Sequence, residues 1–356
     1  MYRSKENLSL RSFKLDKGPL NLITDVPGVK VGHVTLDNTD VKTGVTAILP
    51  HQGNLFKQKV TAASYVMNGF GKSIGLVQID ELGTLETPIV LTNTLSVGDA
   101  SRGLIQYMLD QNVDIGRTAG SVNPVVCECN DGYLNDIRKM SVKPQHVIEA
   151  IESSSNIFEQ GAVGAGKGMV CYGLKGGIGS ASRQITIEEN TFTLGMLVLT
   201  NFGRLETLII DGSRVGEIIT KSIEQLQAET EMKILAQKPE QGSMIAVLAT
   251  DVPLSDRQLK RLLKRIPAGM AHTGAYFGNG SGDIFVGFST SNLVAHETTD
   301  AFIKMSTIHE NQIDQLFQAV IETTEESILK SLFYAETTIG REGREKKSIQ
   351  EFESLL

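Results

Sequence analysis

The chain has 356 residues, 40% of them hydrophobic and 21% charged, enough to bury a large core. Its formal charge of −7 leaves no basic footprint for nucleic acid, and no apolar run reaches the length of a membrane span. Three cysteines cannot build a disulfide framework. Residues 1–18 are polar and show no apolar signal core, so the expected compartment is the reducing cytoplasm.

Along the chain, residues 23–35 (ITDVPGVKVGHVT) begin with turn chemistry at Pro27-Gly28. They continue as a period-2 face of Val29, Val31, His33 and Thr35. Residues 43–50 form an apolar strand. Residues 97–109 predict a helix with Leu104, Tyr107 and Met108 on one face, and 143–157 predict another carrying Val147, Ile148 and Ile151. From Gly161 the chain is glycine-rich, and two strands are expected at 191–201 and 205–210. A helix over 216–232 leads into a charged stretch, 228–242, the best linker candidate in the chain. Residues 243–250 (SMIAVLAT) read as a buried strand. Ser255 and Gln258 form a capping-box pattern, opening a helix with Leu259, Leu262, Leu263 and Ile266 inward. A strand is expected at 284–288, a long amphipathic helix at about 312–334, and a loose polar tail from 340. This order fits paired sheet layers covered by helices better than strict strand–helix alternation.

Most sequence-level candidates for chemistry reduce to structural readings. Gly161 to Gly168 nearly spells a P-loop, but Gly168 stands where the magnesium-binding hydroxyl is needed. A glycine turn for close packing is the preferred reading. Cys127-Glu128-Cys129 lacks the companions of a structural zinc site, so buried reduced thiols and no metal are expected. No GxSxG elbow is present, and the six scattered histidines show no serine-protease context. There remains Gly242-Ser243 at the linker-to-strand junction. Alone, Ser243 is an ordinary strand-entry residue. Were the chain cut before it, its new α-amine would titrate near neutrality and could act as the base for its own hydroxyl. Gly242, lacking a side chain, would leave its carbonyl open to attack by Ser243 Oγ.

Longer stretches carry a resemblance: ITDVPGVKVGHVTL, KTGVTAILPH, NGFGKSIGLVQIDELGTLETPIVLTNTLSVGDA, ECNDGYLNDIR, KGGIGSASR, LTNFGR, GSMIAVLATDVPLSDRQLKRL and GNGSGDIFVGFST. In these, over about residues 21–340, the chain resembles the DmpA-like peptidases, the L-aminopeptidase/D-alanyl-esterase-amidase and β-peptidyl aminopeptidase group. The resemblance implies an α/β, four-layered α/β/β/α sandwich similar to the Ntn hydrolases, forming a single catalytic domain. It implies self-cleavage into residues 1–242 and 243–356, assembly as a tetramer of such pairs, and release of an N-terminal residue from small peptides, amides or esters without a cofactor. Carried over by position, Ser243 matches the nucleophile. Asn201 matches the amide that faces the oxyanion, and Tyr133 a tyrosine near it. Ser281 and Asp283 match the pair that holds the Ser243 amine and hydroxyl. Members that cleave β-peptides can have glutamate at position 283; aspartate is one methylene shorter. Glu128 matches the carboxylate that pairs with the substrate ammonium, here flanked by two cysteines. His272 stands where arginine is common and receives no role. Two alternatives come from other classes: an acyltransferase related to ornithine acetyltransferase, which shares the fold, and a non-catalytic binding protein on the same scaffold.

Overall fold

The computed structural model describes residues 13–228 and 242–355. Its elements run β1 (Lys30–Asp37), β2 (Lys42–Leu49), β3 (Gln58–Gly69), α1 (Leu76–Leu82), β4 (Thr84–Leu85), β5 (Ile89–Asn93), α2 (Val97–Gln111), β6 (Val125–Cys129) and α3 (Pro144–Glu152). There follow β7 (Val170–Cys171), β8 (Leu174–Lys175), β9 (Ile178–Ile187), β10 (Asn190–Asn201), α4 (Val215–Ala228), β11 (Ser243–Thr250), α5 (Asp256–Leu263) and α6 (Ile266–His272). The chain ends with β12 (Gly282–Ala295), α7 (Asp314–Phe333) and the short strands β13 (Thr338–Ile339) and β14 (Glu345–Lys346).

Two sheets stack face to face. One has the order β1-β2-β5-β6, the other β4-β3-β12-β11-β10-β9. Their shared layer is closed by Ile48, Leu91, Cys127, Leu197, Val247 and Val286, among others. Helices α2 and α3 cover the outer face of the first sheet, where Leu104 and Val147 meet Val45, Ala47 and Val90. Helices α4 to α7 cover the outer face of the second, around Met244, Leu248, Leu262, Val320 and Leu332. The result is the expected four-layered α/β/β/α sandwich.

Strand β11 shows why the sequence takes this form. Every residue in it is buried. Met244, Ala246 and Leu248 face the helices, while Ile245, Val247 and Ala249 face the other sheet. A strand covered on both faces reads as an unbroken apolar run, as SMIAVLAT does. The capping box at α5 is also present: Gln258 N–H donates to Ser255 Oγ at 3.2 Å, and Ser255 N–H to Gln258 Oε1 at 3.1 Å. The glycine turn preferred over a P-loop holds as well. At Gly168 a Cβ would lie 2.1 Å from the Lys42 carbonyl oxygen.

Several expectations are corrected. Residues 205–210 are not a strand. A 3-10 turn at Leu205–Thr207 is followed by an isolated bridge from Ile210 to Ser213. The helix expected over 143–157 stops at Glu152, and the one carrying Leu259 to Ile266 is two helices, α5 and α6. The strand expected at 284–288 is the core of the 14-residue β12. The tail is not loose: Ile349 and Phe352 are buried against the helix-side core. Between its ends, Ala228 and Gly242, the linker candidate lies outside the described residues, as does the expected end of the 216–232 helix.

Candidate active site

Three adjacent strands converge on Ser243. In the antiparallel β10–β11 pair Asn201 is its register partner, and in the parallel β11–β12 pair Gly282 is. By strand alternation Ser243 shares a face with Ile245, and Asn201 with Leu199, so both point into the layer between the sheets. There the layer opens into a cleft of about 820 Å³ whose lining includes Glu128, Tyr133, Asn201, Gly242 and Ser243. Ser243 is 7% exposed. The carbonyl of Gly242 accepts the Gly282 N–H at 3.1 Å. A Cβ on Gly242 would sit 2.7 Å from Phe202 Cα, so the close approach of these backbones requires glycine.

Asn201 is anchored at both ends of its amide. Its Oδ1 accepts the Val170 N–H at 3.0 Å, and its Nδ2 donates to the Asn130 carbonyl at 3.0 Å. An amide nitrogen carries two hydrogens; one is committed, and the second has no acceptor among the described residues. The peptide unit that supplies the Val170 N–H is itself held. Its Met169 carbonyl accepts from Lys175 Nζ at 2.8 Å, and the same ammonium donates to the carbonyls of Gly166 (3.0 Å) and Gly176 (2.6 Å). Burial pushes the Lys175 pKa well below the ordinary lysine value.

Ser281 and Asp283 flank Gly282 and are buried beneath the cleft rather than lining it. Ser281 Oγ donates to Asp283 Oδ1 at 2.9 Å. Asn68 Nδ2, across the β3–β12 pair, donates to Asp283 Oδ2 at 2.9 Å and to the Phe277 carbonyl at 3.3 Å. A register shift between Asp283 and Ile284 marks a bulge, a device that re-aims side chains at sites.

Glu128 is buried, with its Oε1 accepting the Lys72 N–H at 2.8 Å and its Oε2 accepting the Thr94 hydroxyl. The flanking cysteines do not crowd it. Cys127 and Cys129 alternate to the opposite side of β6, into the inter-sheet core. Burial pushes the Cys127 thiol up to about 12 and the Cys129 thiol well above its usual value, which keeps both protonated. Tyr133 is 45% exposed, with Lys346 Nζ 4.6 Å and Arg344 Cζ 5.6 Å from its ring centroid. His272 lies elsewhere, its Nδ1 2.8 Å from Glu325.

The six residues singled out by motif thus occupy one place: four on the cleft wall, two directly under it. Asn68, Thr94, Lys175 and Lys346 are additional. Asn68, Thr94 and Lys175 fall within the quoted motif stretches, but a partner across a strand pair or in a distant loop leaves no spacing signal. Lys346 was hidden in the tail expected to be loose.

The model of peptidase family S58 matches residues 21–346. The chain belongs to this family. This S58 peptidase is 38% identical over 342 residues to the β-peptidyl aminopeptidase BapA of Sphingosinicella microcystinivorans, covering 92% of this chain and 84% of the relative. Its fold matches the crystal structure of the PH0078 protein from Pyrococcus horikoshii OT3 with a TM-score of 0.90 and 47% identity, covering 99% of this chain and 98% of that one. It also matches the L-aminopeptidase D-Ala-esterase/amidase of Ochrobactrum anthropi, described as a variant of the Ntn hydrolase fold, at a TM-score of 0.87 and 31% identity over 99% of both chains. The S58 peptidase is therefore a hydrolase of the aminopeptidase and amidase type.

Proposed function

We propose that Ser243 acts twice, first on its own chain and then on substrates. In the first reaction Ser243 Oγ adds to the Gly242 carbonyl carbon. The developing oxyanion keeps the Gly282 N–H as a donor. The hydroxyl proton passes to the departing Ser243 nitrogen, the C–N bond breaks and an ester forms. Water then hydrolyses the ester, leaving the Gly242 carboxylate and a free Ser243 with both hydroxyl and α-amine. An α-amine ordinarily titrates at about 7.7–8.0, so at neutral pH a fraction is available as base.

In the second reaction that amine takes the Oγ proton as Oγ attacks a substrate carbonyl. Ser281, oriented by Asp283 and through it by Asn68, holds the amine. The uncommitted Asn201 N–H and the Tyr133 hydroxyl face the oxyanion; one such donor contributes roughly 3 kcal/mol to the transition state. Glu128 pairs with the free ammonium of the residue to be released, which makes the reaction exopeptidic. The leaving amine or alcohol departs, and water frees the acyl group. Short peptides, amides and esters with a free amino group are the substrate class. Residues 1–242 and 243–356 remain joined, and four such pairs assemble in the cytoplasm. Among the described residues no helix is long and apolar enough to cross a membrane.

The observation that carries this proposal is the register of Asn201, Ser243 and Gly282 on three adjacent strands, with the Gly242 carbonyl already held by an N–H donor. Ser243→Ala should fold, as judged by circular dichroism and its melting profile, yet stay uncleaved and release no aminoacyl product. Cleavage of that variant at the same bond would assign the cut to an outside protease.

A further inference from the structure

Among the described residues, three charged groups on the cleft wall have no ion pair: Glu128, Lys72 and Lys346. The Glu128 carboxylate accepts a backbone N–H and a hydroxyl. Lys72 is exposed, its ammonium lying over the Phe70 ring. Lys346 is the more enclosed of the two cations. Its Nζ donates to the Gly173 carbonyl at 3.0 Å and stacks on Tyr133, and no carboxylate among the described residues lies within ion-pair distance of it. An ammonium has three donors, so two of its hydrogens are not accounted for by these contacts. Burial lowers its pKa from the ordinary lysine value, the mark of a cation removed from water without compensation.

Lys346 is built into the site rather than draped over it. It closes the β13–β14 hairpin, which pairs Ile339 with Glu345 and Thr338 with Lys346. The hairpin is tied to the loop that carries Tyr133 by the Arg341 N–H, which donates to the Leu134 carbonyl at 2.8 Å. Behind it, Ile349 and Phe352 are buried in the helix-side core. A desolvated, unpaired charge costs the fold stability unless a ligand supplies its partner.

We infer that Lys346 is the subsite for a substrate carboxylate, so that the preferred substrates are short zwitterionic peptides, dipeptides above all, with the ammonium on Glu128 and the carboxylate on Lys346. This rests on the aminopeptidase reading of the cleft and names its substrate class. Two sources could supply the carboxylate: the C-terminus of the leaving residue, or an acidic side chain on the released one.

Two comparisons separate them. The cleaved enzyme is assayed on Ala-Ala and β-Ala-Ala against their C-terminal amides, and on Glu against Gln p-nitroanilide. A carboxylate held by a charge-assisted bond should raise kcat/KM by roughly tenfold or more, chiefly through KM. Preference in the first comparison assigns the peptide terminus; preference in the second assigns the side chain. In Lys346→Met the preferred ratio should fall to about one, and Lys346→Arg should restore most of it. Equal rates for acid and amide in both comparisons, or a preference that survives Lys346→Met, would overturn the inference. Binding of N-acetyl-L-alanine and its amide to the wild-type protein, measured by calorimetry, reads the leaving-residue subsite without turnover. Discrimination there with no hydrolysis anywhere would uphold the Lys346 site and count against the catalytic role of Ser243.

Discussion

Asp131 follows Asn130, whose carbonyl anchors the Asn201 amide, and it is the most perturbed carboxyl near the site. Burial is the main cause, lifting its pKa to about 7 against hydrogen bonds from Thr43 and Asn135. One of its oxygens has no hydrogen-bond partner among the described residues. Because the folded value lies above the ordinary 3.8, the unfolded chain releases this proton first. The contribution of Asp131 to stability is greatest in acid and is lost as pH rises from about 4 to 7. His33 runs the other way. Burial lowers it to about 4, so its contribution is lost as pH falls from 6.5 to 4. Asp131→Asn should therefore gain stability over the parent at pH 8 and much less at pH 4. Urea denaturation of the uncleaved Ser243→Ala chain reads this without the complication of two fragments, and an equal difference at both pH values would refute it. Asn201→Ala tests the neighbouring position. Losing one oxyanion donor should lower kcat by about 10²–10³ with little change in KM; a change confined to KM would mean that Asn201 only binds ground-state substrate.

At the scale of elements, the C-terminal hairpin and its turn tie the site to the helix-side core. Ile349 is fully buried there, and Ile349→Ala should cost about 2–5 kcal/mol. Chemical denaturation checks this; a loss under about 0.5 kcal/mol would mark a surface position. This element also shows where sequence reasoning stops. Strand β11 was legible because burial on both faces writes a continuous apolar run. The capping box before α5 was legible because its two partners are three residues apart. By contrast the 12-residue β3 (QKVTAASYVMNG) mixes charged, small and apolar residues, and its strand form depends on its pairing with β12 and β4. Residues 205–210 are apolar enough for a strand, yet their hydrogen bonds go elsewhere. Leu208 is held by the Gly216 N–H through its carbonyl, and the Ile209 N–H by Thr273. The tail offers only isolated apolar residues, and burial of Ile349 and Phe352 requires the core they dock on. The site follows the same rule. Local chemistry made Ser243 a nucleophile only on condition of a cut before it, and resemblance supplied the cut and its motif-matched partners, but Asn68 and Lys346 take their places only through tertiary pairing.

For the whole molecule, the second sheet explains how a cut chain can stay one protein. Its order places β12 and β11, both C-terminal to residue 242, between β3 and β10, both N-terminal to it. Backbone ladders on either side would therefore bind residues 243–356 to residues 1–242 after cleavage. A cut there would free the Ser243 amine without removing β11 from the centre of its sheet. The measurement that bears most directly on this account is the mass of the purified protein under denaturing and native conditions. Two denatured fragments that meet at Gly242 and Ser243, together in one native assembly, are expected. A single intact chain that nonetheless hydrolyses aminoacyl amides would contradict the account, because its Ser243 would have no α-amine to serve as base.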